Sequence, residues 1–188
     1  MLCKLPVDEA EDVVELVDHV LGDYQSEAPY RVNARYWGDD YGELAFASDD
    51  KLLEGLCELL KSISESAGVV KVREAILAEK ERAFGAESKD AGMALANLGD
   101  AYGDLGDHAK SRDVLERALA IKERAYGRDH AQVADTLGIL GTAYGALGDH
   151  AKSRDMLERA LAIFERAYGP DHPHTKYTKG ALAKLPSA

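Results

Sequence analysis

Six histidines, two cysteines and several adjacent carboxylates are the residues of this 188-residue chain best suited to hold a metal or move a proton. A metal centre needs three or four ligands at a recurring spacing. Asp171-His172-Pro173-His174 brings a carboxylate and two imidazoles together but lacks a further spaced ligand. Cys3 and Cys57 are too few and too far apart for a zinc cluster or a disulfide framework. Asp39-Asp40 and Asp49-Asp50 lack the alternating carboxylates of a calcium loop, and read better as a solvated turn and a helix cap. No nucleophile motif or phosphate-binding glycine loop occurs. The expectation is a chain with no catalytic group, no cofactor and no metal.

The histidines have another explanation. His108 and His150 stand 42 residues apart, as do His130 and His172, and repetition of a residue with its unit is what a structural role predicts. The string LGDHAKSRD occurs at Leu105 to Asp113 and again at Leu147 to Asp155, and LERALAI at Leu115 to Ile121 and Leu157 to Ile163. Gly99, Gly103 and Gly106 return as Gly141, Gly145 and Gly148, which makes them packing and turn residues. One period earlier, KERAFG at Lys80 to Gly85 lies opposite KERAYG at Lys122 to Gly127. The spacing therefore predicts a degenerate unit at 43–84, full units at 85–126 and 127–168, and a fourth that begins at 169 and serves as a C-terminal capping helix and tail to 188.

Each unit reads as two antiparallel helices. Met93, Leu95, Leu98, Ala101, Tyr102 and Leu105 recur at steps of three and four, one face of a helix. Gly106-Asp107 breaks it, and Ala109 to Tyr126 restarts with Leu115, Ala118, Leu119 and Ala125 inward. Gly127 is expected to end that helix and Asp129 to cap the next. On the second helices, Arg112 with Glu116, Asp113 with Arg117, and their copies Arg154 with Glu158 and Asp155 with Arg159 have the i,i+4 spacing of solvated ion pairs. A single helix pair cannot bury its apolar face, so stacking of neighbours has to supply the core.

These residues resemble the tetratricopeptide repeats, and in particular the longer kinesin-light-chain type. Leu95, Leu98, Gly99, Tyr102, Gly106, Ser111, Leu115 and Ala118 match the family pattern in one unit, and Leu137, Leu140, Gly141, Tyr144, Gly148, Ser153, Leu157 and Ala160 in the next. The Gly169 to Pro173 stretch resembles the inter-repeat turn of kinesin light chains. Ser111 and Ser153 stand where the family usually has Ala, and Lys179 stands where Leu is expected, which fits a polar end cap. The resemblance implies a mainly α fold, a short right-handed α-solenoid of helix pairs. It also implies a non-enzymatic interaction module, a scaffold or adaptor whose first helices line a concave groove. The groove residues it implies are Met93, Ala96, Asn97, Asp100 and Asp104, then Asp135, Gly138, Ile139, Thr142 and Ala146. Asn97 resembles the family's backbone-binding asparagine, and its counterpart Ile139 does not. None of these positions is Lys or Arg, so a protein or peptide partner with a neutral, apolar or basic segment is expected over an acidic one.

Residues 1–42 have no copy elsewhere. Val7 to Leu21 has apolar residues on one broad face with carboxylates opposite, an amphipathic helix. Tyr30 to Tyr36 alternates as a strand does, and Gly38-Asp39-Asp40 then turns the chain toward Tyr41 to Ala47, a hairpin expectation. The net charge of -11 is concentrated here: Lys4, Arg31 and Arg35 face thirteen carboxylates in residues 1–50, and the rest of the chain is nearly neutral. This acidity argues against nucleic-acid or anionic-membrane binding. No run approaches the roughly 20 apolar residues that span a bilayer, and the start turns acidic before a signal core forms, so a cytoplasmic protein is expected. The head is read first as a cap on the array, or as a second binding surface for a basic partner; a small effector or catalytic head, and self-association of the near-identical repeats, are the alternatives.

Overall fold

The computed structural model describes residues 49–62 and 66–186. The expected amphipathic helix at 7–21, the hairpin at 30–47 and the head at 1–42 lie outside the described residues. Among the described residues there are seven helices and no strand: α1 (Asp49–Ser62), α2 (Ser66–Phe84), α3 (Lys89–Leu105), α4 (His108–Tyr126), α5 (Ala131–Ala146), α6 (His150–Tyr168) and α7 (Pro173–Lys184). Two compact units, Met1–Ala75 and Ile76–Ala188, divide the chain within α2.

In the first unit, Leu53, Cys57 and Leu60 of α1 are buried, as are Val69 and Val72 of α2. Arg73 of α2 is buried beside Glu54 of α1, with Nη1 2.5 Å from Oε1. A buried guanidinium needs such a partner, because burial disfavours its charged form. Cys57 is a free thiol, which burial pushes above the ordinary cysteine value.

In the second unit α3 packs on α4 and α5 on α6, while α4–α5 and α6–α7 contacts join successive pairs. The helix starts follow from local chemistry. Ser88 accepts from the Ala91 amide, and Asp107 and Asp149 accept from the Lys110 and Lys152 amides, each at 3.1 Å. The repeated turn histidines do the same work: His130 Nδ1 accepts from the Gln132 amide and His172 Nδ1 from the His174 amide. The cap before α5 is thus His130 and not Asp129. Tyr126 stacks on His130 with ring centroids 4.9 Å apart, and Tyr168 lies 4.4 Å from His172, so the same ring contact recurs one period on.

The core lies between the helices of each pair and between pairs. Val133, Ala134 and Leu137 of α5 pack with Ala160, Ile163 and Phe164 of α6. Leu95 and Ala96 of α3 pack with Ala118 and Ile121 of α4, with Leu77 alongside. Leu115 of α4 meets Leu140 and Tyr144 of α5, which carries the core across the junction. Each large apolar side chain so buried contributes about 1.5–3 kcal/mol. Two positions differ from the periodic reading: Met93 and Leu105 are exposed, and the buried stripe of α3 runs through Ala91, Ala94, Leu95, Leu98, Ala101 and Tyr102 instead. On α4, Ala125 is exposed, and Ile121 and Lys122 are the buried residues of that turn.

Close helix approach explains two glycines. A Cβ at Gly141 would fall 2.7 Å from Leu157 Cγ and 3.2 Å from the Ser153 carbonyl oxygen, and Gly99 meets Leu115 more tightly still. Beside Gly99, the buried Ser111 hydroxyl donates to the Gly99 carbonyl at 2.7 Å, which accounts for a serine where the family usually has alanine.

The ion pairs differ from the i,i+4 expectation. Arg112 pairs with its neighbour Asp113, Arg117 reaches Glu81 of α2 at 2.8 Å, and Arg159 reaches Glu123 of α4 at 2.6 Å. Glu81 Oε1 is buried and meets Arg117 by charge, without hydrogen-bond alignment. Arg117 and Arg159 also donate to the carbonyls of Ala86 and Arg128 in the preceding turns. The local rule fails because a long guanidinium on a stacked helix finds a carboxylate of an earlier helix and a carbonyl of the intervening turn together, a better set than one solvated carboxylate.

Candidate functional site

The inner surface of α3, α5 and α7 is where the expected groove residues fall, and they do not all behave alike. Asn97, Asp100 and Asp104 are exposed on α3, as are Thr142 and Ala146 on α5. Met93 is exposed, and its Sδ accepts from the Tyr126 hydroxyl at 3.5 Å. Asp135, Gly138 and Ile139 are half-buried. Ala96 departs from the expectation: at 5% exposure it belongs to the α3–α4 core and lies beneath any surface a ligand could touch.

Four of the expected residues are brought together. Asp100, Asp135, Gly138 and Ile139 line a cleft of about 490 Å³ with Phe164 of α6 and Pro173, His174, Tyr177 and Thr178 of α7. Met93, Asn97, Asp104 and Thr142 are not in its lining. The α7 contributors escape a reading of 169–185 as a cap, although the 42-residue register puts Tyr177 at the place of Asp135 and His174 at that of Gln132.

Electrostatics in the cleft centre on Asp135. His174 Nδ1 lies 3.2 Å from Asp135 Oδ1. Burial is the largest influence on Asp135 and raises its carboxyl above the ordinary aspartate value, against opposing pulls from His174 and Lys122. Beneath it Lys122, only 4% exposed, donates from Nζ to Thr136 Oγ1 at 3.1 Å and to the Gln132 carbonyl at 3.4 Å. Burial lowers that amine below the ordinary lysine value, while Asp135 draws it back up. At the far end Phe164, Tyr168, His172 and His174 form a run of ring contacts, including Phe164–His174 at 5.2 Å and His172–His174 at 5.2 Å. Among the described residues no three His, Cys, Asp or Glu side chains are grouped as a metal would need, and no helix is long and apolar enough to cross a membrane.

The two full units differ from each other in a patterned way. The outer helices α4 and α6, 19 residues each, are identical except at Val114 against Met156 and Lys122 against Phe164. The inner helices α3 and α5 keep Leu95/Leu137, Leu98/Leu140, Gly99/Gly141, Ala101/Ala143 and Tyr102/Tyr144. They diverge at Met93/Asp135, Ala96/Gly138, Asn97/Ile139, Asp100/Thr142 and Asp104/Ala146, the expected groove positions, and also at Lys89/Ala131 and Asp90/Gln132 and at the buried Ala91/Val133, Gly92/Ala134 and Ala94/Thr136. Exposure alone does not explain this, because exposed outer-helix residues such as Lys110, Asp113, Glu116 and Arg124 are unchanged in the second copy.

The helix pairs, their 42-residue register and this inner surface define a tetratricopeptide-type solenoid. The tetratricopeptide repeat family pattern matches residues 90–166 and 138–185, together just over half of the chain, and the chain belongs to that family. Its repeats are in general protein–protein interaction modules. Among solved structures it is similar to a P. anserina kinesin light chain candidate with nearly identical TPR-like repeats, at 20% identity and a TM-score of 0.66 over 72% of this chain and 64% of that one. It is also similar to BtubC (BKLC) from P. vanneervenii, at 22% identity and a TM-score of 0.62 over 76% of this chain. The matched part spans 58% of BtubC, so in both cases it is less than two thirds of the other protein. These likenesses describe the fold. No curated protein matches the chain.

Proposed function

We propose that this chain is a non-enzymatic interaction module, a cytoplasmic scaffold or adaptor that holds a segment of a partner protein along the inner surface of α3, α5 and α7. The units at 43–84, 85–126 and 127–168, closed by 169–188, would be its building blocks. The observation that carries this reading is that the inner helices of the two copies diverge at exposed positions while the outer helices stay nearly identical. Duplicated helices that only stack must keep the same contacts, and the outer helices do. Some diverging inner positions are buried and change with the packing, as Ala91/Val133, Gly92/Ala134 and Ala94/Thr136 do. Those exposed in both copies, Asp100/Thr142 and Asp104/Ala146, differ in charge, size and hydrogen-bonding capacity, as contacts to successive residues of an irregular ligand require.

Site-specific photo-crosslinking tests this. A benzophenone amino acid placed at Asn97 or Thr142 is expected to capture a discrete partner from native lysate, and the same group at Asp113 or Ala162 on the outer helices is not. Capture from the outer positions alone would move the binding surface to the other face.

A further inference from the structure

Resting on that reading, we propose that the cleft between α5 and α7 is a pocket for a basic side chain, arginine or lysine, of the bound segment. Its walls are apolar and aromatic: Ile139 from α5, Phe164 from α6 and Tyr177 from α7. Two carboxylates, Asp100 from α3 and Asp135 from α5, belong to the same lining, and no lysine or arginine does. That combination suits a cation on an aliphatic stem. The stem takes the place of water on Ile139 and Phe164, the charge meets the carboxylates, and an aromatic face adds a cation–π contact.

Tyr177, 68% exposed, has ring surface open to a guest. An acidic side chain would instead meet two like charges in a half-buried setting. A purely apolar one would take solvent from Asp135, whose carboxyl burial already disfavours as an anion. Of the cations near Asp135, Lys122 is buried beneath it and committed to Thr136 and Gln132, and His174, 3.2 Å away, shares the lining with it.

The junction one unit earlier shows the same chain handling a cation of its own. At the α4–α5 junction Lys122 fills the space below Asp135 and bonds to Thr136. At the α6–α7 junction the corresponding residues are Phe164, Tyr177 and Thr178, and all three line the open cleft. Where the first junction is closed by an internal ammonium, the second presents aromatic surface with carboxylates at hand for an external one.

The test uses a random linear peptide library displayed against the full chain, with selected peptides then titrated by fluorescence anisotropy. The expected result is enrichment of peptides sharing one arginine or lysine. Replacing it by norleucine should weaken binding by about tenfold, the scale of one charge-assisted contact with its cation–π part. In a doubly substituted Asp100→Asn, Asp135→Asn chain, or in Tyr177→Leu, that replacement should matter at most about half as much on a logarithmic scale by the same contact count. Circular dichroism melting confirms that the variants fold; if the double variant does not, Tyr177→Leu, altered at an exposed ring, decides. Enriched peptides that bind without needing a basic residue would overturn the pocket and leave the groove reading standing. No enrichment, or binding unaffected by substitutions at both Asn97 and Ile139, would overturn both.

Discussion

Arg159 Nη1 lies 2.6 Å from Glu123 Oε1, and one repeat earlier Arg117 Nη2 lies 2.8 Å from Glu81 Oε1. Each arginine reaches from its helix to the second helix before it, α6 to α4 and α4 to α2, so the ion pairs repeat with the 42-residue register. A double-mutant cycle with Arg159→Met and Glu123→Gln should give a coupling of about 1 kcal/mol in urea unfolding, reduced at high salt. The exposed Arg112–Asp113 pair should give nearly none. Equal couplings would show that the cross-unit geometry adds nothing.

Gly141 and Gly138 sit one turn apart on α5 but face different surroundings. Gly141→Ala pushes a methyl against Leu157 and the Ser153 carbonyl, and should destabilise by about 1–3 kcal/mol. A methyl at Gly138 would meet nothing within 4 Å, so Gly138→Ala should gain up to about 1 kcal/mol of helix propensity. Chemical denaturation of the two variants measures both; the same sign for both would contradict the packing described.

The equivalent serines are not equivalent in bonding. The Ser111 hydroxyl donates to the Gly99 carbonyl, whereas the buried Ser153 hydroxyl has no protein partner. Ser111→Ala should cost about 1 kcal/mol and Ser153→Ala should be neutral or stabilising, because it removes a buried polar group that makes no bond. Thermal melts of both variants decide it.

Tyr144 supplies the pH dependence. Burial, with a hydrogen bond to Glu116, pushes its phenol up to about 12 from an ordinary value of 10. The unfolded chain releases this proton first, so the stabilisation is complete below pH 10 and is lost as pH rises to 12, by on the order of 1 kcal/mol after solvent screening. Titrating stability through that window in the wild type and in Tyr144→Phe should show the extra alkaline loss only in the wild type.

Residues of the proposed groove should be separable from structural ones. Thr142→Ala, Asp100→Asn and Tyr177→Leu alter exposed side chains and should shift stability by no more than about 0.5 kcal/mol. Any of them that unfolds the array would belong to the core instead.

Much of the fold is legible from the register alone. Leu95, Leu115, Leu137 and Leu157 recur at fixed places and are core residues, and the repeated His130 and His172 are helix caps. Lys122 is not legible, because a lysine on an amphipathic helix normally points to water. Its burial depends on Thr136 and Gln132 of the next helix, which no local pattern reveals. The arginine pairs escape for the same reason: the i,i+4 rule sees one helix, and Arg159 finds its carboxylate 36 positions away on another. Half of the cleft is hidden because the polarity of α7 signals an end cap, whereas its Pro173, His174, Tyr177 and Thr178 line the cleft.

Two outer helices that differ at only two of 19 positions carry a hazard for folding. While the chain is collapsing, α6 can dock where α4 belongs, a slip of one full period that preserves almost every outer contact. The Lys122/Phe164 difference works against it: Phe164 below Thr136 leaves that hydroxyl and Asp135 without their ammonium, and Lys122 in the place of Phe164 removes the ring that packs on Val133, Ala134 and Leu137. A single exchanged residue thus acts as a registration mark, and swapping the two should produce misregistered, slowly refolding chains before it produces an unstable native state.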